Sequence, residues 1–332
     1  MHISGFLFYA VYVMETNAHT VGEFRINDEN AGKRIDILSS ELSGLSRSRI
    51  HHLIEKGLLT VNTQRTKPNY KAKPGDMILL HFPVEEQKLI KEDLPVEILF
   101  KDDFLIVVEK PAGLVVYPAA GHPTGTLMNA VAYHSPTLAS VGAPLRPGVV
   151  HRLDKDTSGV MVVALDDGAY YGLVEQFRER TIDRRYKALI YGNLREDRGQ
   201  ISLRIGRSGS DRKKMSTRVK RGKEAVTTWN VVERFGVATL IEAKLGTGRT
   251  HQIRVHFASI GHPVLGDLTY GKKTQVEACR KTIVFPRQML HAELLGFTHP
   301  VNSRYMKFRR DLPEDMRLII EALRELKPAQ VS

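Results

Sequence analysis

The sequence predicts an α+β fold in two parts, a small helix-and-strand unit followed by a larger domain on a mixed, mostly antiparallel sheet. Three observations carry this. The 332 residues exceed what one small core requires. Residues 33–57 show helical apolar spacing, whereas the chain after Pro95 turns to short β-rich runs. Those runs follow one another too closely for helical crossovers, which fits a mostly antiparallel or mixed sheet better than a regular βαβ array.

In order, KRIDILSSELSGLSRSRIHHLIEKG (33–57) reads as two short helices broken at Ser43-Gly44. Ile35, Leu38 and Leu42 form one apolar face, and Ile50, Leu53 and Ile54 the other. Ser46 is the expected N-cap and Gly57 the C-cap. Strands follow at LLTVN (58–62) and MILLHF (77–82), separated by a basic turn. The expected boundaries are 1–27 for an N-terminal extension of little order, 28–83 for the small unit, 84–94 for a charged linker and 95–332 for the large domain. Within the last, FLIVVEK, GVMVVAL, RRYKALIYG, TTWNVVERFG and VATLIEAKLG are strand runs, with a hairpin at Phe235-Gly236. TLMNAVAYH, AYYGLVEQFRER and PEDMRLIIEALREL read as helices.

A formal net charge of +12 points to a polyanionic partner. The single cysteine, Cys279, excludes an intrachain disulfide, and no Cys/His spacing supports structural zinc. Residues 3–13 are apolar but too short to span a bilayer and have no basic start. No secretory signal is expected; Met14 is the natural start, or the segment packs as an apolar arm. A cytoplasmic location follows as an expectation. Neither GxxxxGK[ST] nor GxGxxG occurs, so nucleotide hydrolysis and dinucleotide redox chemistry have no support.

Three segments concentrate chemistry: HRLDKDTSG (151–159), LGTGRTHQIRVHFASIGHPVLGDLTYG (245–271) and QMLHAELLGFTHP (288–300). Alone, the first reads as a turn capped by Asp154 or Asp156; a metal site there is weak without a second ligand cluster, and a glycosidase pair lacks its second carboxylate. Clustered with the others it argues for one shared site. Residues 204–223 add nine Lys or Arg against one Asp, a composition suited to gathering phosphates.

RID..L, SRSRI..LIEKG.L.VN and Y.....GD.I together resemble the S4 domain, an RNA-binding module. HRLDKDTSG, RRYKALIYG, GRTHQIRVHF..IGHPVLGD..YG and Q.LHA..L.F.HP, in that order, resemble the RluA/RluD type of pseudouridine synthase from about residue 30 to 326. The resemblance is nearest to the RluD branch, which modifies large-subunit ribosomal RNA. It implies a mixed sheet with a central cleft, an RNA partner, no obligate protein partner, no membrane, and neither metal nor organic cofactor.

Carried over by motif, Asp154 is the catalytic aspartate, Tyr186 the active-site tyrosine and Arg249 the arginine that pairs with the aspartate. Arg152 fills the gap left by the extruded nucleotide, with His151 beside it among the RNA contacts. Arg47 and Arg49 of the S4 part, and Lys213 and Lys214 of the basic loop, are further RNA contacts. Leu290 and Leu294 are assigned to the pocket wall. Tyr117 departs from the family, which commonly has His there, and the span between Gly271 and Gln288 is short.

The implied isomerisation needs one carboxylate and no activated water, because the uracil is kept and re-attached. Asp154 serves as nucleophile or as base for a ribose proton. The uridine must leave its stack, and Tyr186 offers a face for it. Two alternatives stand beside this reading: a non-catalytic RNA-binding or ribosome-assembly factor on the same fold, and a nucleoside glycosidase.

Overall fold

Residues expected to form a loose N-terminal extension instead supply two strands to the first sheet. In the computed structural model, β1 (Met14–Thr16) and β2 (His19–Arg25) form a hairpin, and β2 pairs along its length with β5 (Met77–Pro83). The structure describes residues 14–16, 19–83, 89–119, 121–209, 211, 214–219, 221–278 and 281–326. The apolar segment 3–13 and Cys279 lie outside them.

The chain divides into two compact units between residues 86 and 87. In the first, α1 (Ile35–Ser43) and α2 (Arg47–Glu55) precede β3 (Leu59–Val61) and β4 (Gln64–Arg65). The antiparallel sheet runs β1-β2-β5-β3-β4. Ser46 caps α2 as expected, accepting the Arg49 N–H. Ile35, Leu38, Ile50, Leu53 and Ile54 pack on Leu59, Ile78 and Leu80. Leu42, expected on the same apolar face, is 37% exposed and lies in the last turn of α1, whose buried residues are confined to 35–39.

The second unit contains β6 (Glu97–Lys101), β7 (Leu105–Lys110), α3 (Leu127–His134), β8 (Ser158–Ala164), α4 (Asp167–Glu179), β9 (Asp183–Tyr191) and β10 (Arg198–Ser202). Two short pieces follow, β11 (Gly206–Arg207) and β12 (Met215–Ser216), then β13 (Val226–Arg234), β14 (Ala238–Leu245) and α5 (Gln252–Ser259). The chain continues through β15 (Gln275–Ala278), β16 (Lys281–Val284), β17 (Leu290–Thr298), β18 (Tyr305–Arg309) and α6 (Glu314–Glu325). A nine-stranded sheet runs β10-β13-β14-β9-β17-β8-β7-β6, with β18 also on β17. Among the described residues only its pairing of β17 with β8 is parallel, at His291–Ser158 and Ala292–Gly159.

The central strands are buried on both faces, so their sequences read as continuous apolar runs rather than alternating ones. Ile106, Val108, Met161 and Val163 meet α3 on one side, while Leu105, Val107, Val160 and Val162 meet α4 on the other. Helix α6 buries Met316, Ile319, Ile320 and Leu323 against Leu189, Leu240 and Phe285, each side chain contributing about 1.5–3 kcal/mol. The described part of the expected linker, 89–94, is fastened to this unit. Glu92 accepts the Gly125 N–H at 2.7 Å, and the Asn129 side chain donates to the Ile90 carbonyl at 2.7 Å.

Candidate active site

The HRLDKDTSG segment enters β8 through a loop that Lys110, Arg287, Gln288 and His291 hold in place. Lys110, at the end of β7, is fully buried and donates to the carbonyls of Pro111, Leu114 and Lys155 at 2.8, 2.8 and 3.0 Å. Arg287 forks onto Asp315 and also donates to the Asp156 carbonyl at 3.0 Å. The Gln288 amide donates to the Thr157 hydroxyl at 2.7 Å, and Ser158 shares a hydrogen bond with His291 at 2.9 Å. Burial lowers the Lys110 pKa to about 7, against the pull of Asp156 and Asp154. Together these contacts fix the loop on both sides of Asp154, whose side chain lines the cleft.

That cleft encloses about 680 Å³, within the roughly 300–1,000 Å³ typical of ligand sites. Asp154, Tyr186, Leu290, His151 and Arg152 all line it. Asp154 accepts from Arg254 Nη1 at 2.7 Å. The same guanidinium holds Asp267 with Nε at 2.7 Å and Nη2 at 3.0 Å, and reaches Thr269 Oγ1 at 3.1 Å. Burial opposes the Arg254 charge, but Asp267 and Asp154 outweigh it and raise its pKa. The pairing expected of Arg249 therefore belongs to Arg254. Arg249 lines the cleft from the turn before α5 and donates its Nε to the Glu224 carbonyl at 3.1 Å.

The difference follows from where α5 begins. Arg254 stands in the first turn of a helix that buries Ile253, Val255 and Phe257, so it is drawn inward with them. Gln252 fixes the preceding turn by binding the Thr247 hydroxyl, the Arg249 N–H and the Val226 carbonyl. A helical reading of QIRVHF would have distinguished the two arginines.

Tyr186, on β9, is 7% exposed. Burial raises its pKa, so the phenol is protonated at neutral pH. His251 Nε2 stands 3.7 Å from the Asp154 carboxylate while Nδ1 shares a 2.8 Å hydrogen bond with the Tyr270 hydroxyl. Burial lowers the His251 pKa despite Asp154.

Other expected residues separate. Arg152 donates to the Tyr117 hydroxyl at 2.7 Å and lies 5.3 Å from its ring centroid, so the residue that departs from the family pattern holds the arginine at the cleft. His151 is part of the wall rather than an outward cation. Its Nε2 accepts the Val162 N–H at 3.1 Å and its ring lies 5.0 Å from Phe177. Burial, helped by Arg184, pushes its pKa down to about 3. Leu290 lines the cleft but Leu294 does not. A register irregularity between His291 and Leu294 breaks the alternation that would return residue 294 to the face of 290, and Leu294 is buried opposite Arg185 and Arg309.

In the first unit Arg47 is exposed but tied at 2.7 Å to the buried Asp36, which also holds Arg34 and His51. Arg49 is exposed. Lys214 stands 3.9 Å from Asp211, and Lys213 lies outside the described residues.

Comparison with known proteins agrees with these two assemblies. Residues 33–78 match the S4 domain model and residues 104–259 the RNA pseudouridylate synthase model. An RNA pseudouridine synthase of Bacillus subtilis, YlyB, is 43% identical over 301 residues, covering 90% of this chain and 97% of the relative. The ribosomal large subunit pseudouridine synthase D of Pseudomonas aeruginosa is 42% identical over 311 residues, covering 91% and 96%. The solved human RNA pseudouridylate synthase domain containing 1 is 27% identical with a TM-score of 0.52, over 70% of this chain and 96% of that one. With S4 module, sheet and cleft loop all accounted for across nine-tenths of its length, the chain belongs to the RNA pseudouridine synthase family.

Proposed function

We propose that this synthase acts on uridines of large-subunit ribosomal RNA and that Asp154 is the reacting carboxylate. The reaction breaks the N1–C1′ bond, turns the uracil and joins C5 to C1′. The proton lost from C5 is balanced by one gained at N1. The observation that carries the residue assignment is the charge balance of the cleft. Among the described residues lining it, Asp154 is the single carboxylate, set among six arginines. A hydrolase on this site would need a second carboxylate to activate water. An isomerase that keeps its base does not.

In this reading Arg254 is a positioning residue, aiming the Asp154 oxygen by charge-assisted hydrogen bonding. Asp154 attacks the sugar or takes a ribose proton. Tyr186 presents its ring to the flipped uracil and a neutral hydroxyl to the reacting atoms. Arg152, held by Tyr117, stands at the cleft where a nucleotide leaving its stack would pass. Arg47, Arg49, Lys213 and Lys214 contribute phosphate affinity. The large-subunit substrate is supported by the name of the Pseudomonas relative, a ribosomal large subunit pseudouridine synthase D, and it sets the work in the cytoplasm. Among the described residues no helix is long and apolar enough to cross a membrane.

The test is pseudouridine mapping of ribosomal RNA from cells lacking this protein, complemented with wild type or Asp154→Ala. Specific uridines should lose modification in the deletion and regain it with wild type alone. Equal rescue by both would refute the assignment of Asp154. No site changing in the deletion would refute the ribosomal substrate.

A further inference from the structure

Of the arginines lining the cleft, Arg184 and Arg254 are buried, at 7% and 6% exposure. Arg254 is saturated by Asp154, Asp267 and Thr269. Among the described residues Arg184 has no ion pair, and its Nε is buried without a hydrogen-bond partner. Its guanidinium carbon lies over the Phe177 ring at 5.1 Å, an apolar support that offers no counter-charge. Gly248 closes the other side. A β carbon there would stand 2.6 Å from Arg184 Nη1, so the glycine leaves the guanidinium the room it occupies. A cation buried this way costs stability unless something answers it.

We infer that Arg184 is a binding residue for the phosphodiester that flanks the flipped uridine, supplying the acceptor its site lacks in the free protein. This rests on the cleft being the uridine pocket. Arg184 and Tyr186 stand two residues apart on β9, so their side chains share a face. Tyr186 is close enough to both Arg184 and Asp154 to be influenced by each charge. A nucleotide with its sugar at Asp154 and its base on Tyr186 extends one phosphate toward Arg184. Of the polar groups a uridine brings, phosphate oxygens are the charged acceptors, and they match a guanidinium fork.

The test uses the full-length protein and a short synthetic RNA containing a uridine that wild type converts. Arg184→Met should raise KM about 10- to 100-fold, the effect of losing a charged hydrogen-bonded contact. It should also reduce the slope of log KM against log salt by about 0.7–0.9, one phosphate's worth of released counterions. Because the charge has no partner in the free protein, Tm should be unchanged or higher, whereas a structural arginine would lower it. Arg184→Lys should retain the salt slope. Replacing the phosphate on either side of the uridine by a neutral methylphosphonate should cost wild type a similar factor at one of the two positions, and cost Arg184→Met nothing further there. This last arm on wild type decides the matter even if the Met variant does not fold. A methylphosphonate tolerated by wild type at both positions, or a salt slope unchanged in Arg184→Met, overturns the inference. Absence of any conversion by wild type across large-subunit transcripts would refute the ribosomal substrate instead.

Discussion

Arg254 bridges two carboxylates, meeting Asp154 at 2.7 Å with one nitrogen and clasping Asp267 with two others. Asp267 is buried and also accepts the backbone N–H groups of Thr269 and Tyr270, so the far end of the bridge is rigid. The orientation of Asp154 is thereby referred to the turn after α5, more than a hundred residues away in sequence.

Removing the bridge should therefore damage stability and turnover together. Arg254→Met leaves Asp267 buried without its cation and should cost about 3–5 kcal/mol. Arg254→Lys keeps a charge but cannot span both carboxylates; kcat should fall about 100-fold with a much smaller change in KM, because aim rather than affinity is lost. Arg249→Ala forfeits only a hydrogen bond to a backbone carbonyl and should lose less than about tenfold in kcat. Single-turnover assays of the three variants check this, and an Arg249→Ala protein as impaired as Arg254→Lys would return the positioning role to Arg249.

Lys110 makes the stability of the cleft loop rise with pH above about 7. Burial holds its folded pKa near 7, while in the unfolded chain it is about 10.4. Between these values the unfolded state binds the extra proton, so folding stability rises with pH and is lost again as pH falls through 7. Wild type should gain on Lys110→Met by up to about 1.4 kcal/mol per pH unit across that window. Urea unfolding at pH 7 and pH 9 reads the difference, and a gap independent of pH would contradict it.

At the acid side the same logic applies to His151. Its Nε2 must remain unprotonated to accept the Val162 N–H, and its folded pKa is about 3 against about 6.5 unfolded. Stability from this group is complete above 6.5 and is lost as pH falls toward 3. His151→Phe should start about 1–3 kcal/mol lower at neutral pH, for the orphaned N–H. The deficit should shrink by up to about 1.4 kcal/mol per unit on acidification. Parallel stability curves from pH 7 to 4 would show that the imidazole titrates freely.

What the sequence displayed and what it hid divide along local and non-local lines. The two helices of the first unit, the capping serine at 46 and the strand runs of 105–110 and 226–245 were legible because each is set by neighbours in sequence. Asp154 and Tyr186 were legible through motif order. The partner of Asp154 was not, since the choice between Arg249 and Arg254 depends on where α5 starts and what it buries. Leu294 was misassigned because a register slip inside β17 is invisible to a counting rule. Lys110 ends the FLIVVEK strand run without any signal of its own; its three carbonyl acceptors come from loops that only the folded sheet brings beside it. The strand at residues 19–25 is completed by pairing with residues 77–83, far away in sequence.

The parallel contact of β8 with β17 supplies the last expectation. Gly159 sits there with φ +127°, and a β carbon would stand 2.3 Å from the Ala292 carbonyl oxygen and 2.6 Å from its nitrogen. Both neighbours are backbone, so neither can swing aside. Gly159→Ala must push β8 away from β17, stretching the Ser158–His291 hydrogen bond and shifting the loop that carries Asp154 five residues upstream. Gly236, in the β13–β14 hairpin, has φ +83° but nothing within 4 Å of an added carbon, so Gly236→Ala carries backbone strain of about 1 kcal/mol and no clash. Gly159→Ala should lose more than about 3 kcal/mol, and the molecules that remain folded at low temperature should turn over at least tenfold more slowly, since small misplacements of a reacting group are costly. Gly236→Ala should keep wild-type turnover. Thermal melts paired with single-turnover rates compare the two, and equal behaviour would mean that the strand contact does not fix the cleft loop.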